Sequence, residues 1–135
     1  MDFELNEEQS MLRDSVAKVM ERTYDFESRQ RYQLETDGFS RDGWMRLAEL
    51  GLLGLPFTED DGGFGGGPVE TMIVMEALGR ALALEPYLSG IVMAGALLRH
   101  AASTEQRAEL LPEIIEGTLI IAVAHAEPQA RYNLH

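Results

Sequence analysis

Apolar residues recur every three to four positions along most of the chain, the period of a helix face and not the alternation of a strand. In the first such stretch Leu12, Val16, Val19 and Met20 share a face. Asn6 stands ahead of it as an N-cap, Glu7 and Glu8 lie where the helix dipole favours acids, and Gln9 completes a capping-box pattern. Asp25 then opens a shorter helix running to Leu34, with one long helix to Glu35 as the other reading of the same residues; Thr36-Asp37-Gly38 closes either. Ser40 caps a helix predicted to turn Trp44, Leu47, Ala48 and Leu50 inward and to stop at Gly51 in a left-handed conformation.

Leu52 to Phe57 is a compact apolar run, followed by the acidic, glycine-rich loop Thr58-Glu59-Asp60-Asp61-Gly62-Gly63-Phe64-Gly65-Gly66-Gly67. Pro68 takes the first position of the next helix, predicted to continue through Met75, Glu76, Leu78 and Leu82 until Glu85-Pro86 breaks it. From Tyr87 to His100 the pattern is apolar nearly all round, with Gly90 and Gly95 interrupting it, which predicts a buried central helix. Ser103 and Gln106 form another capping box, ahead of a helix that directs Leu110, Leu111, Ile114 and Ile115 inward and ends at Gly117. Leu119-Ile120-Ile121-Ala122-Val123-Ala124 is β-branched and reads as a strand. The expectation is an all-α bundle of five or six helices over residues 1–118, with a strand at the start of residues 119–135.

Composition narrows the function classes. The 135 residues are 45% hydrophobic and 25% charged, ordinary for one folded domain. Lysine and arginine number 11 against 23 acids, a net charge of −12, which disfavours nucleic acid and anionic membrane surfaces as partners. Without cysteine there is no disulfide, thiolate zinc site or thiol nucleophile. The opening Met1-Asp2-Phe3-Glu4 has neither a secretion signal nor a transit-peptide bias, so a cytoplasmic location is the default. No apolar stretch reaches the ~20 residues that span a bilayer.

Few residues suggest chemistry by themselves. The glycine loop lacks the lysine and hydroxyl of a phosphate-binding loop and the G-x-G-x-x-G of a dinucleotide site, and Glu59, Asp60 and Asp61 would repel phosphate; it reads as a connector. Those acids lack calcium-loop spacing, and His100 and His125 have no partner at metal-binding distance in sequence, so no metal site is expected. Ser89 precedes Gly90 outside any nucleophile elbow and reads as a helix-capping residue. Met72, Met75 and Met93 read as core. His125, at a strand exit, is the one histidine placed to meet a ligand.

Several segments together resemble a known family. Phe3-x-Leu5-x-Glu7-Glu8-Gln9-x-Met11-Leu12-Arg13, Leu47-Ala48-Glu49-Leu50-Gly51-Leu52-Leu53-Gly54-Leu55, Gly62-Gly63-Phe64-Gly65-Gly66, Glu76-Ala77-Leu78-Gly79-Arg80-Ala81-Leu82-Ala83, Glu105-Gln106-Arg107-x-x-Leu110-Leu111-Pro112 and Ala126-Glu127-Pro128 occur in the order found in the N-terminal part of FAD-dependent acyl-CoA dehydrogenases. The stretch His125 to Tyr132 resembles the small subunit of pimeloyl-CoA dehydrogenase and its bacterial relatives. The resemblance implies α,β-dehydrogenation of an acyl-CoA thioester, pimeloyl- or dicarboxylyl-type CoA included, with FAD as cofactor, electron-transfer flavoprotein as electron acceptor, and a homo-oligomer or a hetero-oligomer with a second subunit.

It also implies that the glutamate base and most of the FAD surface lie beyond His135, so that no catalytic residue is expected in this chain and the chain is inactive alone. The family's flavin-contacting threonine aligns with Ala126, which has no hydroxyl, and the family's glycine-rich pyrophosphate segment aligns with Gln129-Ala130-Arg131-Tyr132. Val123, His125 and Ala126 are the flavin-side candidates, and Pro86, Tyr87, Ser89, Gly90 and Met93 the candidates for an acyl channel. Two other readings stand beside this one: a stand-alone helical interaction module, and a non-catalytic partner subunit of a two-chain dehydrogenase.

Overall fold

Helices in this chain begin where a side chain can take over a backbone N–H that the helix itself leaves without a partner. The computed structural model, which describes residues 4–124, shows six α-helices and, among the described residues, no strand. Helix α1 (Glu7–Thr23) is closed by a reciprocal capping box: Gln9 N–H donates to Asn6 at 2.8 Å and Asn6 N–H donates to Gln9 at 3.1 Å. Asp25 caps α2 (Phe26–Gln33) by accepting from Ser28 N–H at 2.7 Å, and Ser40 caps α3 (Arg41–Glu49) by accepting from Gly43 N–H at 3.1 Å. Pro68 opens α4 (Pro68–Arg80), where the Glu70 carboxylate accepts Gly67 N–H at 2.8 Å. A π-helical turn (Leu88–Ala94) runs directly into α5 (Gly95–Ala101), and Ser103 with Gln106 boxes the start of α6 (Thr104–Ile115).

The core joins these pieces. Val16 and Met20 of α1, Trp44 and Leu47 of α3, Leu53 and Phe57 of the following run, Val74 and Leu78 of α4, Ile91 of the π-turn, and Leu111 and Ile114 of α6 form one buried cluster. Each such side chain contributes about 2 kcal/mol on leaving water. Helix α1 lies along α4, and Gln9 Nε2 donates to Glu70 Oε1 at 2.7 Å across their N-terminal ends.

The glycine loop is fastened to the chain that precedes it. Gly63, Gly65 and Gly66 donate to the carbonyls of Thr58 (2.8 Å), Phe57 (2.7 Å) and Leu55 (2.7 Å). At Gly63 a Cβ would overlap the Phe57 and Gly54 carbonyl oxygens, so the backbone approach itself requires glycine there.

Several expectations are corrected. Helix α3 ends at Glu49 and Gly51 turns left-handed at φ 73°, as its glycine suggested, but this leaves Leu50 on the surface. Helix α4 stops at Arg80, so Leu82 lies past its end at φ 52°, exposed and in a conformation that a leucine adopts at a cost. Met72 and Met93 are exposed because Ile73, Val74, Ile91 and Ala94 occupy the buried faces of their helices; Met75 does pack on the core. The stretch from Tyr87 to His100 is not buried all round: Leu88, Met93 and Leu97 are exposed. Residues 119–124 form no strand, since no neighbouring strand among the described residues pairs with them.

Candidate functional site

The residues proposed from sequence for an acyl channel converge on the π-helical turn. A π-turn is rare and moves successive side chains off the α-helical register, and such turns are frequent at functional sites. Tyr87 opens it from the core, 1% exposed, with its hydroxyl donating to the Leu52 carbonyl at 2.9 Å. Burial pushes the Tyr87 phenol well above its usual range, so it stays neutral and serves as an anchor. Ser89 does not cap the turn. Its hydroxyl donates to the Pro86 carbonyl at 3.3 Å, and no base is bonded to it.

Gly90 is buried on the inner side of the turn. A Cβ there would stand 3.2 Å from the Ile121 carbonyl oxygen and 4.0 Å from the Trp44 ring, so its hydrogen lets the 119–121 segment lie directly on the turn. Trp44 also donates its Nε1–H to the Gly117 carbonyl at 3.0 Å, fixing the point where the chain leaves α6 toward that segment. Leu119, Ile120 and Ile121 pack on the core. On the outer side, Leu88, Met93 and Leu97 form an exposed apolar face. The structure therefore brings Tyr87, Ser89, Gly90 and Met93 onto one turn, with Pro86 half-buried at its start. Of the flavin-side candidates, Val123 is half-buried near the end of the described chain, while His125 and Ala126 lie outside the described residues.

Other candidates resolve simply. The loop amides of Gly63, Gly65 and Gly66 are spent on the chain's own carbonyls, which leaves them without a donor for phosphate. Beside the loop a cleft of about 430 Å³ is lined by Asp60, Asp61, Arg99 and Arg107, with both signs of charge represented. Arg107 pairs with Asp61 at 3.2 Å, and Arg99 donates to the Pro56 carbonyl at 2.8 Å. His100 is exposed in the last turn of α5, where the helix dipole favours a cation. No cluster of metal-binding side chains occurs among the described residues, and none of their helices is long and apolar enough to cross a membrane.

Sequence reading missed two features. The π-turn leaves no distinct mark on a helical period, and the glycine at 90 was its single visible sign. The Trp44–Gly117 bond joins residues 73 positions apart, and a lone tryptophan ahead of a distant glycine carries no pattern.

Comparison with known proteins places this geometry. The chain matches the family model for the acyl-CoA dehydrogenase N-terminal domain over residues 6–118. Mitochondrial isovaleryl-CoA dehydrogenase of Bos taurus is 33% identical over 129 residues, which are 93% of this chain and 30% of that protein. A solved variant of the Tcur3481-Tcur3483 steroid ACAD superposes with a TM-score of 0.81 at 28% identity, covering 90% of this chain and 33% of the other. The ChsE4-ChsE5 complex from Mycobacterium tuberculosis shares the fold, with a TM-score of 0.78 at 22% identity over 96% of this chain and 33% of its own. The chain thus spans about a third of the length of the relatives it matches.

Proposed function

The chain belongs to the acyl-CoA dehydrogenase family through its N-terminal helical domain, and from that premise we propose that it forms the helical wall of the acyl and flavin site in a flavin-dependent acyl-CoA dehydrogenase. The observation that carries this reading is the π-helical turn. It presents exposed apolar side chains at Leu88 and Met93, continued by Leu97 of α5, and its Gly90 lies against the segment that leads to the flavin-side candidates.

An acyl chain needs an apolar surface free of charged side chains, and from Pro86 to Leu98 the sequence has none. Residues 120–124 make no backbone hydrogen bond within the described residues, and an apolar, β-branched backbone left open in this way is suited to pair with a sheet. This supports assigning 119–135 to the start of a β-rich domain. FAD, when bound, supplies the acceptor for the hydride removed from the acyl β-carbon. This chain's own part is to hold Val123, His125 and Ala126 along the flavin side and to keep water from the acyl side with the π-turn. The base that removes the α-proton is assigned to a glutamate outside these residues. A pimeloyl-type or other dicarboxylyl-CoA is the substrate class that the His125 to Tyr132 stretch suggests. The ChsE4-ChsE5 relationship supports a second reading of the assembly, in which this chain is one subunit of a two-chain enzyme.

The test is anaerobic reduction of bound flavin by acyl-CoAs of increasing length in the natural full-length protein. Leu88→Asp and Met93→Asp are expected to slow reduction by long acyl-CoAs at least ~10-fold while flavin remains bound, whereas Met72→Asp, at an exposed position of α4, leaves it unchanged. Equal rates in all three variants would remove the π-turn from the acyl site. A protein that binds no flavin in the presence of all its subunits would favour the interaction-module reading.

A further inference from the structure

Glu85 is the one buried acid among the described residues, 8% exposed, in the linker between α4 and the π-turn. Three elements meet at it. From the residue just past the end of α1, the Tyr24 hydroxyl donates to its Oε2 at 2.8 Å, and that same hydroxyl accepts the Leu84 N–H at 2.8 Å. Toward the π-turn, its backbone carbonyl accepts the Tyr87 N–H at 2.8 Å. From α3, Gly43 sits so close to Oε1 that a Cβ there would overlap it. Oε1 itself has no hydrogen-bond partner.

The charges around this junction do not favour a carboxylate. Tyr24 is uncharged and stacks edge-on with Tyr32 of α2 at 5.3 Å between ring centroids. The Ser40 hydroxyl at the head of α3 accepts Gly43 N–H and carries no charge. Arg29 of α2 spends its Nε–H on the Leu82 carbonyl, and Arg41 of α3 pairs with Asp37. A buried carboxylate with one oxygen left without a hydrogen-bond partner is far costlier than the neutral acid, whose proton removes the charge. Burial accordingly holds the Glu85 carboxyl above its ordinary range, the Tyr24 hydroxyl and the N–H groups of Glu85, Leu84 and Ser40 offsetting only part of that.

We infer that Glu85 is a positioning residue whose neutral carboxylic acid fills the space between Tyr24 and Gly43 and so holds the segment ahead of the π-turn against α3, and that loss of its proton loosens that junction. The clamp stands on this chain alone; its bearing on acyl binding rests on the reading of the π-turn given above. It would make the geometry of the acyl wall depend on pH through a group that never touches the substrate.

Infrared spectra of the 135-residue chain, with and without carbon-13 glutamate, test it over about pH 5 to about pH 9. The expected result is an isotope-sensitive carboxylic acid carbonyl band that outlasts the ionisation of the exposed glutamates and is lost in Glu85→Gln. Emission of Trp44, whose ring faces Gly90, should shift as that band disappears, and Glu85→Gln should abolish the shift. Tyr24→Phe, which removes the donor to the ionised form, should move both changes to higher pH. If Glu85→Gln does not fold, the labelled wild-type spectrum still decides. Absence of the band once exposed glutamates have ionised, or an emission titration unchanged in Glu85→Gln, overturns the inference. Neither result depends on acyl-CoA, so the acyl-wall reading can fail in the flavin-reduction test while the clamp stands.

Discussion

Three glycines in and near α4 separate steric from conformational demands for glycine, and alanine at each makes the distinction measurable. At Gly63 an added Cβ would overlap two carbonyl oxygens and lie 2.6 Å from the Phe57 Cβ. Those atoms are backbone and core, so they can yield only by undoing the hydrogen bonds that fasten the loop to Leu55, Phe57 and Thr58. An overpacking cost of about 3 kcal/mol or more follows for Gly63→Ala. Gly65 has φ 67° and open space where a Cβ would go, so Gly65→Ala carries only the left-handed penalty, about 1 kcal/mol. Gly79 is an exposed residue in the last turn of α4 with no neighbour near its Cβ position, and Gly79→Ala should add about 0.5 kcal/mol or more of stability. Urea unfolding followed by Trp44 emission gives all three values from midpoints, provided the slopes agree. If Gly63→Ala falls within about 0.5 kcal/mol of Gly65→Ala, the claim that close backbone approach fixes this loop is wrong.

Leu82→Gly should raise the thermal midpoint despite deleting a large side chain, because Leu82 is exposed at φ 52° and glycine relieves about 1 kcal/mol of left-handed strain; a lowered midpoint would mean that the leucine side chain makes a stabilising contact. Trp44→Phe leaves the Gly117 carbonyl without its donor inside the core and should lower stability by about 2 kcal/mol or more, read by far-ultraviolet circular dichroism. Asn6→Ala removes one side of the α1 capping box and should cost about 1 kcal/mol by the same measurement. On the acid side, the Gln9 amide bonded to Glu70 holds that carboxyl below its ordinary range. Its contribution is present above the usual glutamate pKa and lost as pH falls through the lowered one, so Gln9→Ala should flatten the acid limb of the stability curve.

The helix starts were readable because each depends on one short side chain beside its own backbone. Asn6, Asp25, Ser40 and Ser103 cap where the sequence placed them, and Pro68 opens α4 as its fixed φ predicts. The helix ends were less legible. Gly51 turns left-handed as expected and Gly117, the expected stop of α6, does so too, but at Leu82 a non-glycine residue takes that conformation, and no local rule announces it. The Trp44–Gly117 bond and the Tyr24–Glu85 pair are set by tertiary packing between residues 73 and 61 positions apart, a separation at which no periodicity carries information.

The apolar run from Tyr87 to His100 predicts burial on every side, and the structure leaves Leu88, Met93 and Leu97 in the open. The pattern records hydrophobicity, which says that a face seeks cover and not which partner supplies it. The same holds for residues 119–124, whose β-branched pattern asks for a neighbouring strand that the described residues do not provide. Both unmet demands meet at Gly90, where the turn and the segment touch. That contact between an uncovered apolar turn and an unpaired apolar segment is the feature on which the proposed acyl wall rests.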